Sequence, residues 1–210
     1  MHTVVRFEPA DVETALARLG LDLLLLMEAG RLGLLAWATC TPNDPPMLGG
    51  LMHWARVVRA LRDHLLPRGW TKSDDDNYSL VIGTTARYAI AVSSGCPNTG
   101  MARATPTTNC PKGPSTAGAI SVNHAQLELF PDIKKTKVPK APITWLFLFH
   151  RDAKEIRLEL SLPSSIGENG YIDGWNERIL LPTIPLDPAL VVAPPPDFGP
   201  DIDVEIRRRA

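Results

Sequence analysis

Cys96 and Cys110 each precede a proline inside a glycine-containing turn, GCPNTG and NCPKGP. Two thiolates offered from two turns are half of a tetrahedral zinc site, and His124 or Cys40 would complete it. Neither cysteine has a second cysteine or histidine within four residues, so the close ligand pairs that mark most structural zinc sites are missing. The competing reading is two half-buried thiols that pin a loop. Both cysteines belong to GCPNTGMARATPTTNCPKGPSTAG, residues 95–118, which contains four Gly, four Pro, five Thr and no Leu, Ile, Val or aromatic. A loop of this length inside a folded chain usually binds something.

The same loop carries Arg103 and Lys112, and its glycines and small hydroxyl residues suit convergence of backbone N–H groups on an anion. Neither G-x-x-x-x-G-K-[ST] nor G-x-G-x-x-G occurs in it, so a standard nucleotide cradle is not expected. Three further basic features would track phosphates with salt-dependent affinity. They are the connector Lys134, Lys135, Lys137 and Lys140, the helical spacing of Arg56, Arg59 and Arg62, and the closing run Arg207 to Arg209. With 22 Lys and Arg against 23 Asp and Glu the formal net charge is −1, which excludes a uniformly basic nucleic-acid binder but not local patches.

Recognisable catalytic motifs fail on context. His150-Arg151-Asp152 matches a kinase tripeptide, yet it falls in a hairpin turn with no Gly-rich loop upstream. Glu155, Arg157 and Glu159 share a strand face, but the lysine that a metal-dependent nuclease core would want two residues after the acid is Arg157 or Ser161. Alternating Glu and Arg on such a face more often form cross-strand ion pairs. No G-x-S-x-G is present.

These groups need elements to position them. The leucine-rich run from about Ala10 to Trp37 predicts a first helix, with Leu16, Leu19, Leu23, Leu26 and Leu34 on one broad face. Gly20, Gly30 and Gly33 predict a break near one of them. Thr41 to Pro46 stops that helix, and a second runs from about Leu48 to Leu66. Alternation over Tyr78–Ile82 and Tyr88–Val92 predicts one hairpin, and Ile143–Phe149 with Ile156–Leu162 a second. Residues 119–130 read as a strand whose apolar parity changes at His124-Ala125, hence a bulge. Glu177 to Leu181 reads as a short last strand.

The expectation is an α+β chain: two N-terminal helices packed on an antiparallel meander sheet, with a Pro-rich C-terminal arm. Residues 1–72 form the helical part, 73–182 the sheet part of the same domain, and 183–210 the arm. Glu8, Asp11 and Glu13 precede the leucine run where a signal peptide would be basic, and Glu28 and Arg31 interrupt it. A cytoplasmic protein with reduced thiols, no membrane partner and no cofactor is expected. The functional expectation is a non-enzymatic module that holds nucleic acid or protein through the 95–118 loop and nearby basic residues. The alternative is a metal-dependent hydrolase or nuclease around the same loop, drawing on Cys96, Cys110, His124 and Glu159.

Overall fold

The computed structural model describes residues 3–85, 87–128 and 141–186. Strand β1 (Val4–Arg6) leads into α1 (Pro9–Arg18), which opens on a proline and buries Val12, Ala15 and Leu16 at helical spacing. The long first helix expected from the sequence is in fact two helices. Gly20 at φ +74° turns the chain, and the Asp22 carboxylate then accepts the Leu25 N–H at 2.8 Å and starts α2 (Leu23–Ala38). Helix α2 passes through Gly30 and Gly33 unbroken, because those glycines serve packing. A Cβ on Gly30 would lie 2.5 Å from Leu158, and one on Gly33 2.6 Å from Val57. Helix α3 (Leu48–Leu65) lies against α2 and buries Val57, Val58, Leu61 and Leu65. No helix among the described residues is long and apolar enough to cross a membrane.

Beyond α3 come β2 (Thr71–Ser73), β3 (Leu80–Ile82) and β4 (Tyr88–Ser94), then α4 (Pro114–Glu128), β5 (Ile143–Arg151), β6 (Glu155–Ile166), β7 (Ile172–Leu180) and β8 (Ile184–Pro185). They form one sheet in the order β1-β7-β6-β5-β4-β3-β2, with β8 on β6. The α+β class stands, and both predicted hairpins are present. The all-antiparallel meander is corrected, since β4 pairs parallel to β5 and β1 parallel to β7.

Helix α4 is the cause of the first parallel pair, because it carries the chain back toward the end of the sheet at which β4 began. Residues 119–130 had read as a bulged strand. Thr116, Ile120 and Asn123 instead form the buried helical stripe, so the apparent change of parity was a three-and-four residue period. Strand β6 runs on past the predicted Leu162: the register shifts at Pro163 and pairing continues to Ile166. Of the Pro-rich arm, only Ile184–Pro185 is seen pairing, and residues 187–210, with Arg207 to Arg209, lie outside the described residues.

Helices α1 to α3 cover one face of the sheet with a continuous apolar core that includes Phe147, Leu158, Leu160 and Ile179. On the other face α4 covers Ala91, Leu146 and Leu148. Strand β5 is therefore apolar on both sides because both sides are covered. The remainder of the second face, on β6 and β7, carries Arg157, Glu159, Ser161 and Arg178. The long loop lies there.

Candidate functional site

The loop closes on itself at its neck. Asn109 N–H donates to Ser94 O at 3.0 Å, Gly95 and Thr108 form a bridge, and Cys96 N–H donates to Thr107 O at 2.9 Å. The two feet thus stand together, as in an Ω-loop. With no oily side chain to bury, its anchors are main-chain groups matched to the polar patch beneath.

Arg178 is 2% exposed and Glu159 0%, and their ion pair measures 2.6 Å. The same guanidinium donates to Ala104 O at 2.6 Å and Met101 O at 3.2 Å. Glu159 also accepts Gly100 N–H at 2.8 Å and Ser161 Oγ–H at 2.7 Å. Arg157 donates to Pro97 O and Trp175 Nε1–H to Pro106 O. Gly100 adopts φ +74°, and a Cβ there would lie 2.8 Å from that of Arg157, so only glycine lets the loop backbone come this close. On the face where Glu and Arg alternate, the expected cross-strand ion pair is present between Glu159 of β6 and Arg178 of β7, and it is buried as a clamp under the loop.

The structure separates the residues suggested by the sequence. Among the described residues no three His, Cys, Asp or Glu side chains group as a metal site. Cys96, Cys110 and His124 therefore do not assemble one. All three cysteines are free thiols. Cys96 Sγ accepts the Thr107 N–H at 3.2 Å. Burial raises its pKa, but hydrogen bonds from Thr107 and Asn98 outweigh this and leave it below the ordinary thiol value. Cys110 is exposed, and His124 lies on the exposed side of α4. Lys134, Lys135, Lys137 and Lys140 lie outside the described residues.

Arg103 is exposed at the loop tip. Arg62 is committed to structure, donating to Asp74, Ser73 O and Leu80 O. Arg56 is half-buried on α3, and Arg59 forms an exposed pair with Asp63 at 3.3 Å, which contributes little.

Lys112 stands at the foot of the loop, two residues before α4. Its N–H donates to Gly170 O at 2.7 Å, so its place is fixed. It lines a cavity of about 170 Å³ with Trp54, Tyr78, Ser79, Ser93 and Thr116. This cavity exists because β3 pairs with β4 only as far as Ala91. Beyond that point the Val92 carbonyl has no partner in β3 and accepts Trp54 Nε1–H at 3.1 Å. The site is at the carboxyl end of the parallel pair and beside the N-terminus of α4, the place where open sheets with parallel strands hold ligands.

Burial holds the Lys112 ammonium below its ordinary pKa, with Cys110 acting the other way. No carboxylate among the described residues pairs with it. The Tyr78 hydroxyl is sealed from solvent next to Thr116 without a well-formed hydrogen bond. Burial pushes its pKa up to about 12, the Thr116 hydroxyl acting the other way. Trp54 and Ser79 also line an adjoining groove of about 390 Å³ along α3, together with Arg59, Arg62 and Lys72. Of the residues singled out in sequence, the structure brings Arg59, Arg62 and Lys112 into this joined cleft. Trp54, Lys72 and Tyr78 were missed; the strand β3 that ends short of β4 is the feature that exposes them.

Comparison with known proteins finds no matching family model, no similar curated protein and no matching solved structure.

Proposed function

We propose that this chain is a binding module that holds the phosphate backbone of a nucleic acid along the cleft from Arg59 and Lys72 to Lys112. The observation that carries the reading is Lys112: a half-buried lysine with no carboxylate partner among the described residues, two residues before α4, in the lining of a cavity that also carries hydroxyls. Removing a charge from water without a counter-charge costs free energy, and a phosphate supplies that charge. The adjoining groove adds Lys72 and an Arg59 whose ion pair is exposed and easily exchanged. Trp54, half-buried between the two cavities, offers a surface on which a base would stack.

The test is fluorescence anisotropy with a labelled single-stranded DNA, a labelled RNA and a DNA duplex across a salt series. Affinity should fall steeply with salt, and Lys112→Met should weaken binding and flatten the log–log slope by about 0.7–0.9, the loss of one phosphate contact. If no oligonucleotide binds at low salt, or Lys112→Met binds as the parent does, the reading fails and a protein partner for the loop takes its place.

A further inference from the structure

A second cavity, of about 200 Å³, shares no lining residue with the Trp54 cleft. It sits between the end of α2, the start of α3 and the carboxyl ends of β4 and β5. Its lining includes Trp37, Gly50, His53, Phe149, His150 and Arg151.

His53 is 2% exposed. It stacks on Phe149 with ring centroids 4.0 Å apart, and its Cδ2–Nε2 edge packs against Gly33 of α2. Its Nε2 is sealed without a hydrogen-bond partner. A buried N–H without an acceptor is costlier than an idle lone pair. The ring proton therefore belongs on Nδ1. His150 Nδ1 lies 3.1 Å from Gly95 O, a carbonyl that can only accept, so Nδ1 carries the proton. The Arg151 guanidinium lies 3.5 Å above the Trp37 ring, held flat by the indole. It forms no ion pair among the described residues. No Asp or Glu lines the cavity. Helix α3 also begins here without a side-chain cap, adding its positive end.

We infer that this cavity binds a small ligand through a carboxylate or phosphate group, with Arg151 as counter-charge and the His53 and His150 rings fixing its position. A volume of about 200 Å³ equals the share of about six or seven waters in the liquid. That is room for a carboxylate or phosphate group, and because no lining residue is shared the site is separate from the proposed oligonucleotide cleft.

The test is titration of the full chain with inorganic phosphate and, separately, with succinate. Histidine ring resonances are followed by long-range proton–nitrogen correlation, and affinity by calorimetry. At least one probe should shift the His53 and His150 rings saturably, with a dissociation constant of about 1 mM or tighter. Arg151→Gln should weaken that binding at least about tenfold. Gly50→Leu should block it without loss of fold, because a Cβ at Gly50 meets no atom within 4 Å and the change favours the helix. No saturable shift with either probe overturns the inference. So does phosphate binding that survives Arg151→Gln and disappears in Lys112→Met, which would locate it in the other cleft.

Discussion

The two faces of the sheet are held by opposite chemistry. Helices α1 to α3 bury Leu16, Leu26, Leu61 and Leu65 against Phe147, Leu158 and Leu160. This is close packing in which even a methyl on Gly30 would overlap Leu158. On the other face, beyond α4, the 95–113 loop has almost nothing oily to contribute and is fastened through its carbonyls by Arg178, Arg157 and Trp175. The difference shows that absence of hydrophobic residues does not leave a segment loose. A loop gains order from a buried ion pair as well as from a core, provided the strands beneath supply the charges. Its order then depends on very few side chains, whereas the helical face spreads its stability over many.

The sharpest way to break this contrast is Arg178→Ala, which strands the Glu159 carboxylate in the interior. It should cost about 3–5 kcal/mol in urea denaturation and open the loop to trypsin at Arg103. The double change Arg178→Met with Glu159→Leu should recover most of that stability, since apolar replacement of a buried pair is often neutral. The carbonyls of Met101 and Ala104 still lack a donor in it, so tryptic sensitivity should remain. If the double variant resisted trypsin, the clamp would not be what orders the loop.

The helical face has its own polar weak point in His53. Burial, with a smaller push from the nearby Arg151 cation, lowers the imidazole from 6.5 to about 4. The unfolded chain therefore takes up a proton before the folded one does. Its stabilising effect is whole above pH 6.5 and is lost as pH falls toward 4. Between pH 7 and pH 5 the loss should be about 2 kcal/mol, measured by urea denaturation, and His53→Phe should flatten that part of the profile. A flat profile in the parent chain would show that the ring charges without cost.

The smallest expected effect is at Asp22, which caps α2 and pairs with Arg68 at 2.8 Å. Asp22→Ala should cost about 1 kcal/mol. The Arg68 guanidinium and the Leu25 N–H hold this carboxyl below its ordinary range against a modest effect of burial. The cap's contribution is therefore present above the ordinary carboxylate value and declines only at more acid pH. A thermal midpoint unchanged by Asp22→Ala would remove the cap from the list of features holding α1 apart from α2.

Much of the architecture was legible from pattern alone. Tyr78–Ile82 and Tyr88–Val92 alternate cleanly, as do Ile156, Leu158, Leu160 and Leu162, and both hairpins follow. Helix α4 was not legible as a helix, because Ile120, Val122, Leu127 and Leu129 fit two short strands but fall on opposite sides of a helix, and Asn123, which fills the decisive buried position, is polar. It bonds Thr144 N–H and O across to β5. The clamp was hidden for a related reason. Glu159 and Arg178 have the types and spacing of surface residues, and only burial of both sides of β5 hints that its neighbours' polar face is covered too. The Trp54 cleft depends on how far β3 pairs with β4, and strand ends are set by tertiary packing rather than by local sequence.

The narrow neck at Ser94 and Asn109 has a consequence for change over time. Because the feet of this segment are side by side, its tip around Ala102–Arg103 accepts added or exchanged residues without shifting β4 or α4, so long as two carbonyls still reach Arg178. The molecule thereby carries one place where new recognition can be grafted onto an unchanged frame.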